Sequence, residues 1–411
     1  MYDIIVIGAG AAGLAAARAL REAGRPALVV EARSRIGGRI HTDHSHGPVE
    51  LGAEFIHGHL AATWAEVRAA RLRTAPWGPD RRFACGGAIL PADHPAIVRT
   101  YALYERVTSY TGSEISAAEL LARHAPPEDP AHAFVLRWLA NVEGADPARL
   151  SALALSRERA DSTNGEGNFH VLDGYDQVVA WMAAGLELRL ASPVEGVAWR
   201  PGSVTITLAT GERIAARQAI ITVPLALLRA GRPGFEPPLP EAKQAAMEAI
   251  AVGHVTKLVL WFKQQLWPDF TVLSTDGRVA TWWPVESAAT PTLMGYTGGQ
   301  QGLALAALGQ EQAIAVGVAE LSTLFGADMA AALLGGRLAD WSRDPWSLGA
   351  YTYSPVGMGM ARATLAAPVS ETLFFAGEAT LTNGHLATVH GAIESGQRAA
   401  AEALGSQVRL L

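Results

Sequence analysis

A glycine-rich turn close to the start of the chain constrains the fold more than any other feature of the sequence. The apolar run Ile4–Ile7 leads directly into residues 8–13 (GAGAAG), and the Ala- and Leu-rich segment Leu14–Ala23 follows. This pattern predicts a strand, a tight turn and a helix. A second strand is predicted over Pro26–Val30 and ends at Glu31, which completes a βαβ unit. The unit is typical of a Rossmann-like α/β domain.

The parts of this unit have separate roles in holding a dinucleotide. Gly8 permits the tight turn, Gly10 lets the backbone approach a pyrophosphate, and Gly13 allows the helix to pack closely on the sheet. The N-terminus of the helix stabilises phosphate charge, and Glu31 can accept hydrogen bonds from ribose hydroxyls. A tight turn that binds nothing is the alternative. The strand, helix and acid around the glycines favour a nucleotide site.

The residues after Glu31 help to distinguish FAD from NAD, since both cofactors use this motif. The segment 32–39 (ARSRIGGR) contains two adjacent glycines and three arginines. A second close approach of the backbone, flanked by guanidinium groups, suits a long diphosphate cofactor. For any single arginine, a solvated basic loop remains the alternative.

Two pairs of segments far apart in the chain resemble one known family. Residues 31–39 and 50–58 (ELGAEFIHG) form the first pair, and residues 375–378 (FAGE) and 387–392 (ATVHGA) form the second. They resemble the flavin-containing amine oxidases, which include monoamine oxidases, polyamine oxidases and flavin histone demethylases. The last segment is most similar to the polyamine oxidase branch. The resemblance implies a Rossmann-like FAD-binding domain of the GR2 type and a second, α+β substrate domain.

The resemblance also implies which parts of the chain form each domain. We expect a discontinuous FAD-binding domain over residues 1–76, 162–239 and 345–411, and a substrate-binding domain over residues 77–161 and 240–344. Composition predicts that most of Trp64–Arg159 is a helical insertion. Strands are predicted over Val204–Leu208, Ala219–Val223 and Val255–Phe262, and a helix over Glu241–Ile250.

The cofactor contacts implied by the resemblance extend along the whole chain. They are Gly8, Gly10, Ala12, Gly13, Glu31, Ala32, Arg33, Gly38, Arg39, Gly52, Ala53, Glu54, Val194, Trp341, Gly377, Glu378, Thr388 and Val389. A helix that starts near Val389 would direct its positive end at the flavin pyrimidine ring. Some family members link flavin to a cysteine where this chain has Ala350, and Cys85 is the only cysteine. We therefore expect non-covalent FAD and no metal site.

Four residues are implied at the reacting face of the flavin. Lys257 lies in an apolar strand, where the family holds a lysine bridged by water to flavin N5; an edge-strand lysine that reaches solvent is the alternative. Tyr351 matches one wall of an aromatic cage around the substrate amine, and Thr388 occupies the opposite wall. His57 faces the substrate tunnel in similar polyamine oxidases, although a loop histidine with satisfied hydrogen bonds is equally compatible with the sequence.

Further candidates for the pocket carry less support from the sequence. Glu54 is a second candidate for attracting a cationic amine. His385 and Trp283 are weaker candidates for pocket lining, and Trp341 is as compatible with packing against the cofactor as with substrate contact.

The function implied is FAD-dependent oxidation of an amine C–N bond to an imine, which water hydrolyses to a carbonyl compound and an amine or ammonia. Oxygen is the expected acceptor, giving hydrogen peroxide, and a polyamine or secondary amine is the favoured substrate. Another flavin oxidoreductase on this scaffold, such as a desaturase or a protoporphyrinogen-type oxidase, is one alternative. A catalytically idle flavin-binding scaffold is the other.

Charge and composition limit the partners and the compartment. The formal net charge is −6 with no block of like charge, so neither nucleic acid nor an acidic membrane is an expected partner. One cysteine, with no basic segment before the first strand, fits a soluble protein of the reducing cytoplasm. The oligomeric state is not predicted.

Overall fold

The computed structural model describes residues 2–78 and 80–405, and the residues outside these ranges include both ends of the predicted FAD-binding domain. The strands are β1 (Tyr2–Ile7), β2 (Leu28–Val30), β3 (Thr42–Asp43), β4 (Val49–Glu50), β5 (Phe55–His57), β6 (Thr74–Trp77), β7 (Arg81–Cys85), β8 (Ala88–Leu90), β9 (Asn168–Val171), β10 (Glu187–Arg189), β11 (Val194–Arg200), β12 (Ser203–Leu208), β13 (Arg213–Ile221), β14 (Gly234–Glu236), β15 (Ala251–Val252), β16 (Val255–Phe262), β17 (Val272–Thr275), β18 (Thr281–Pro284), β19 (Thr292–Gly298), β20 (Leu333–Asp340), β21 (Thr352–Tyr353) and β22 (Leu373–Phe375).

The helices connect these strands and cover the sheets. They are α1 (Ala11–Glu22), α2 (Thr63–Ala69), α3 (Pro95–Thr108), α4 (Ala117–Ala122), α5 (Pro130–Glu143), α6 (Ala152–Asp161), α7 (Asp176–Ala183), α8 (Leu225–Arg229), α9 (Glu241–Ala249), α10 (Gly299–Ala307), α11 (Gln310–Phe325), α12 (Met329–Ala332), α13 (Ala361–Ala366) and α14 (Val389–Ala403). A short 3-10 turn covers Glu378–Thr380.

The glycine turn belongs to an eight-stranded mixed sheet. Strands run in the order β10-β2-β1-β13-β12-β11-β14, and β22 pairs with the second half of β13. The pairs among β10, β2, β1, β13 and β22 are parallel, whereas β12 is antiparallel to both of its neighbours. The predicted strand–turn–helix–strand order is confirmed, although α1 begins at Ala11, inside the glycine motif.

Helices α1 and α14 pack together on one face of this sheet because small residues line their contact. A methyl group on Gly396 would lie 2.1 Å from the carbonyl oxygen of Ala12, so only glycine allows this approach. Ala399, Ala400 and Ala403 of α14 are buried in the same apolar cluster as α1. The beginning and the end of the chain therefore meet beside the glycine turn.

A second, seven-stranded sheet carries the predicted lysine strand. Its order is β20-β16-β19-β18-β17-β7-β8, and every residue of β16 is buried between two antiparallel neighbours. Lys257 is therefore on a central strand and not on an edge. The predicted helical insertion over Trp64–Arg159 is confirmed in part: α3, α4 and α5 lie within it and α2 and α6 overlap its ends, but the strands β6, β7 and β8, which the prediction missed, also lie within it. Gly86-Gly87, both at positive φ, form the turn that joins β7 to β8.

The predicted domain boundaries remain a prediction, and the packing of α9 bears on one of them. Ala246 and Met247 of α9 are buried in the apolar cluster that contains Ile5 and Ile7 of β1. This contact favours a boundary after Ile250 over the predicted boundary after residue 239. Within the described residues, no single helix has the length and hydropathy needed to cross a membrane. The helices α10 and α11 meet both requirements only when they are counted together, and they are bent by 115° relative to each other.

Candidate active site

One cavity of about 830 Å³ joins the glycine turn to the lysine strand. Its lining includes all four residues predicted at the reacting face and every predicted cofactor contact except Gly13, namely Gly8, Gly10, Ala12, Glu31, Ala32, Arg33, Gly38, Arg39, Gly52, Ala53, Glu54, His57, Val194, Lys257, Trp341, Tyr351, Gly377, Glu378, Thr388 and Val389. A cavity of this volume is in the range of small-molecule and cofactor sites. The structure thus brings together residues that the sequence separates by more than 380 positions.

The glycines of the turn differ in what a side chain would contact. A methyl group on Gly10 would have no protein atom closer than the Gly37 carbonyl oxygen at 3.9 Å, so it would project into the cavity. A methyl group on Gly13 would lie 1.9 Å from the carbonyl oxygen of Gly8. Gly10 therefore leaves space for a ligand, and Gly13 lets α1 pack against the turn. These are the positions at which the dinucleotide motif needs glycine.

Charged side chains at the nucleotide end have protein partners that hold them in place. Glu31 Oε2 accepts a hydrogen bond from the Ala9 N–H at 2.7 Å, and its Oε1 accepts from the Arg33 N–H at 2.8 Å. The Arg33 guanidinium is paired with Asp344, with Nη1 2.9 Å from Oδ2. Arg35 does not line the cavity; it donates to backbone carbonyls, including that of Gly38 at 2.9 Å. Of the three arginines, two remain candidates for diphosphate contact.

The second predicted cofactor segment is held by the same kind of contacts. Glu378 accepts a hydrogen bond from Arg39 Nη1 at 3.0 Å and from the Thr352 hydroxyl at 2.7 Å. The Gly377 N–H donates to Ser395 Oγ at 2.8 Å, so this donor is already used within the protein. Trp341 Nε1 donates to the Leu51 carbonyl at 2.8 Å, which fixes its buried ring at the cavity wall.

Lys257 forms a buried ion pair with Glu54. Its Nζ lies 2.6 Å from Glu54 Oε2 and 2.9 Å from the Glu50 carbonyl oxygen, and 3% of the lysine is exposed. Glu54 Oε1 accepts a hydrogen bond from Trp283 Nε1 at 2.8 Å. The hypothesis that Glu54 attracts a cationic substrate stays a prediction, and the pairing of its carboxylate with Lys257 argues against it. An ammonium has three donors, so Lys257 retains one for the cavity.

Glu50 lies behind this pair and is the basis of a pH-dependent prediction. Its carboxyl group accepts hydrogen bonds from the Tyr175 N–H at 2.7 Å and the Thr42 hydroxyl at 2.8 Å. Burial raises the pKa of Glu50 to about 8, against the effect of these hydrogen bonds. Glu50 is therefore expected to be mostly protonated at neutral pH.

We expect the variant Glu50→Gln to gain stability relative to the parent as pH rises from 5 to 8. A carboxyl group whose pKa is raised on folding contributes stability that is complete below its unfolded pKa and is lost as pH rises through its folded pKa, whereas glutamine does not titrate. The relative gain should reach up to about 3 kcal/mol. Urea unfolding at fixed, saturating FAD measures it, with Glu195→Gln at an exposed glutamate as the control. A pH-independent difference would contradict the assignment.

Tyr351 is paired with a tyrosine that sequence reasoning missed. Its hydroxyl donates to the Val142 carbonyl at 2.6 Å and lies 2.8 Å from the hydroxyl of Tyr296. Burial is the main reason that the pKa of each tyrosine is raised, so both hydroxyl groups are protonated at neutral pH. Both rings line the cavity. The hydroxyl contacts therefore fix the ring of Tyr351 at the wall of the cavity.

His57 and Thr388 have different roles in the structure. His57 Nδ1 lies 2.7 Å from Asn168 Oδ1, its ring is accessible from the cavity, and burial lowers its pKa. The imidazole is therefore neutral near pH 7. The Thr388 hydroxyl caps α14 by accepting from the Gly391 N–H at 3.0 Å, and it donates to the His385 carbonyl at 2.6 Å. The prediction of Thr388 as a cage wall did not include this capping role, although a threonine directly before a helix is a common N-cap.

Of the two weaker candidates for pocket lining, the structure supports Trp283 and not His385. Trp283 lines the cavity, as expected, and its ring centroid lies 5.7 Å from that of Tyr296. His385 does not line the cavity; it is buried, and its Nδ1 lies 2.9 Å from Glu394 Oε2. The hypothesis that His385 lines the pocket is wrong.

The part of the cavity beyond Tyr351 is formed mainly by residues that sequence reasoning did not single out. They are Phe55, Trp77, Arg81, Tyr104, Trp138, Asn141, Glu143, Arg159, Asn168 and Thr281. Glu143 is the last residue of α5, and burial raises its pKa to about 7. Most of these residues come from segment 77–161, whose composition signals helices but gives no information about which face meets the cavity.

Comparison with known proteins identifies the family. Residues 11–88 and 98–404 match the family described as flavin containing amine oxidoreductase. The chain belongs to this family. Polyamine oxidase 3 of Oryza sativa subsp. japonica is 31% identical over 97% of this chain and 88% of its own length. Polyamine oxidase 2 of Arabidopsis thaliana is 30% identical over 97% of this chain and 87% of its own length.

Solved structures of flavin amine oxidoreductases have the same fold. Cyclohexylamine oxidase from Brevibacterium oxydans IH-35A superposes with a TM-score of 0.84 at 25% identity, covering 98% of this chain and 99% of that chain. Putrescine oxidase bound to putrescine gives the same TM-score and coverage at 22% identity. The family fold combines a Rossmann-like FAD-binding domain with a substrate domain, and the activity is FAD-dependent oxidation of an amine.

The residues of this chain fit the flavin cofactor of the family. The space beside Gly10 and the N-termini of α1 and α14 meet at the cavity, as a diphosphate cofactor requires. A methyl group on Gly377 would also meet no protein atom within 4 Å. Glu31, at the end of β2, keeps lone pairs for ribose hydroxyls after its two backbone contacts.

Proposed function

We propose that this amine oxidase acts on a secondary amine, holds FAD without a covalent link, and uses oxygen as the electron acceptor with release of hydrogen peroxide. The observation that carries the proposal is the continuity of one cavity from Gly10 past Lys257 to Tyr351 and Glu143. Bound FAD would take a hydride equivalent from the carbon next to the amine nitrogen, leaving an imine that water hydrolyses. A polyamine, as in the names of the relatives, is the other substrate class favoured by the sequence.

The side chains around Tyr351 support binding of an amine at this place. The face of an aromatic ring attracts an ammonium or orients the nitrogen of a neutral amine. Neutral His57 can accept a hydrogen bond from the amine or hold its proton at Nε2, since Nδ1 is occupied by Asn168. Glu143 also lines the cavity, and its pKa of about 7 lets it take a proton from an arriving ammonium near neutral pH.

Lys257 is assigned to the cofactor side of the reaction. Two of its three donors are used by Glu54 and the Glu50 carbonyl, and the third is available to flavin N5 or to a water beside it. Such a donor stabilises charge that develops during reduction or reoxidation. Thr388 acts as a positioning residue, because its cap fixes the start of α14.

The experiment that tests the proposed reaction uses the purified holoenzyme. Anaerobic mixing with primary amines, secondary amines and polyamines should bleach the yellow flavin with at least one class, and admission of oxygen should restore the colour with release of peroxide. Flavin that no amine reduces would favour an idle scaffold. Reduction by a carbon–carbon substrate alone would favour a desaturase.

We expect all of the FAD to leave the chain on denaturation. Ala350 lies at the cavity where a linking cysteine would stand, and Cys85 is exposed on β7 and does not line the cavity. Precipitation with acid followed by absorbance of the supernatant measures the released flavin. Yellow colour that stays with the precipitated chain would contradict non-covalent binding.

The cytoplasmic location inferred from cysteine content remains part of the proposal.

A further inference from the structure

Two arginines lie at the end of the cavity that is remote from Lys257. Residues Lys257, Tyr296, Thr281 and Ser274 are successive partners across β16, β19, β18 and β17. Arg81 follows on β7, and its Nη1 donates to Ser274 Oγ at 2.9 Å. At about 4.8 Å per strand, Ser274 lies roughly 14 Å from Lys257 across the sheet. The sheet thus sets the distance between the reacting end and the Arg81 end.

Aromatic rings hold these arginines in a stack, which we call the arginine wall (Arg81, Tyr104, Trp138 and Arg159). The Arg81 guanidinium carbon lies 5.0 Å from the Trp138 ring centroid, and that of Arg159 lies 5.7 Å from the Tyr104 ring centroid. Trp138 and Tyr104 are stacked with centroids 4.2 Å apart and an interplanar angle of 13°. All four side chains line the cavity.

Neither arginine of the wall forms an ion pair with a carboxylate of the described residues. At the nucleotide end, by contrast, Arg33 is paired with Asp344 and Arg39 with Glu378. A guanidinium has five N–H donors, and the hydrogen bond to Ser274 uses one donor of Arg81. Arg81 is partly buried, and buried donors without partners are costly, so this end of the cavity favours a ligand that accepts hydrogen bonds and carries negative charge.

The acidic residues that line the cavity do not neutralise the positive charge of Arg81 and Arg159. Glu54 and Glu378 are ion-paired with other cations, and Glu31 is bonded to backbone N–H groups at the nucleotide end. Glu143 is the remaining acid near the wall, and burial keeps its pKa at about 7, so it is only partly ionised at neutral pH. An ammonium placed beside Arg81 would therefore face like charge.

We propose that the arginine wall binds a carboxylate at the far end of the substrate, so that the preferred substrate is a secondary amine with a terminal carboxylate and not a free polyamine. The inference rests on the proposed amine oxidation and narrows its substrate class. The amine lies at Tyr351 and the carboxylate lies at Arg81, joined by an aliphatic chain along the aromatic lining of the cavity. Bidentate contact with a carboxylate matches the geometry of a guanidinium.

Three matched series of N-methylamines test this inference on the holoenzyme. Each has the form methyl–NH–(CH₂)ₙ–X, with n from about 4 to 8, because Tyr296, whose hydroxyl contacts that of Tyr351, lies two strands or roughly 10 Å from Ser274. The end group X is a carboxylate, an ammonium or a methyl group. Anaerobic bleaching of the flavin gives kcat/KM for each compound. We expect the carboxylate series to exceed the ammonium series by about tenfold or more at its best length.

Variants of two adjacent arginines provide the matched control. Arg81→Gln should lower kcat/KM for the carboxylate series by about 10- to 100-fold, mainly through KM, with little change for the methyl series. Arg82→Gln alters the next residue of β7, which is paired with Asp80 and does not line the cavity, and should change none of the series. Arg81→Lys keeps the positive charge but cannot donate two parallel hydrogen bonds to a carboxylate, so it should retain part of the preference for the carboxylate series. If Arg81→Gln loses FAD, Arg159→Gln at the exposed arginine tests the same wall.

The outcomes separate this inference from the proposed function. Preference for diamines over amino carboxylates, or an unchanged ratio of the two series in both Arg81→Gln and Arg159→Gln, would overturn the carboxylate site alone. Absence of bleaching with every amine would overturn the proposed oxidation and the inference with it. A carboxylate preference that is lost on neutralising the wall and kept in Arg82→Gln would support both.

Discussion

Replacing Gly10 with alanine is expected to weaken FAD binding by about 100-fold or more while leaving the fold largely intact. The new methyl group would meet no protein atom within 3.9 Å, so it would occupy ligand space. The backbone of Gly10, with φ of −78°, also accepts alanine without strain. A misplaced methyl group in a tight contact costs about 1–3 kcal/mol, and the loss of phosphate contacts adds to it. The helix cap should lose no more than about 1 kcal/mol.

Gly13→Ala is expected to act in the opposite way. Its methyl group would lie 1.9 Å from the Gly8 carbonyl oxygen and 3.0 Å from Thr222 Oγ1, so α1 would have to move away from the sheet. We expect a loss of about 3 kcal/mol or more of unfolding free energy without FAD, since both backbone contact and core packing are disturbed. FAD binding would weaken as a consequence of the damaged turn.

Two measurements separate a ligand-facing glycine from a packing glycine. Urea unfolding without FAD gives the stability, and quenching of flavin fluorescence on titration gives the affinity. Gly196→Ala is the control, because its methyl group would meet only Thr207 Cβ at 3.9 Å, far from the turn. Normal FAD affinity in Gly10→Ala would show that the turn does not hold the diphosphate. Parental stability in Gly13→Ala would contradict the packing role.

Local patterns explain why the nucleotide end was predictable from sequence. The turn at 8–13, the acid at Glu31 and the strand Val255–Phe262 are each encoded by neighbouring residues, and the structure reproduces that strand with the predicted bounds. The start of α14 at Val389 is likewise a local signal. The hairpin at Gly86-Gly87 is also encoded locally, since two glycines between apolar segments predict a tight turn, although helix-forming residues dominate the composition around it.

The substrate end depends on contacts that no local pattern contains. Tyr296 reaches the site only because β19 pairs with β16 in a register that sets it opposite Lys257. Glu143 and Arg81 come from separate parts of the insertion and meet at the cavity through packing of α5 and β7. The sequence marked Glu54 as available to a substrate, whereas its partner lies 203 residues away in the same chain. Tertiary pairing therefore decided what each of these side chains contacts.

The largest loss of stability is expected from breaking the buried pair of Lys257 and Glu54. Lys257→Met removes the ammonium and leaves a carboxylate that is 6% exposed, with Trp283 Nε1 at 2.8 Å and His170 Nδ1 at 3.6 Å as its remaining polar neighbours. Removing one partner of a buried ion pair costs about 3–5 kcal/mol, because the other charge remains without compensation. Glu54→Gln should cost a similar amount by leaving Lys257 unpaired. The double variant should recover most of the loss, since both charges are then absent.

The same double variant separates the structural role of Lys257 from its role beside the flavin. If Lys257 supplies a donor to the cofactor, the stable double variant will still be slower by about 10- to 100-fold in flavin reduction or in reoxidation by oxygen. Stopped-flow absorbance measures the two half-reactions separately, and urea unfolding measures stability. Glu54→Gln retains the ammonium, so it should keep more of the rate than either variant that lacks it. Recovery of both stability and rate in the double variant would mean that Lys257 only neutralises Glu54, and the donor role would be lost.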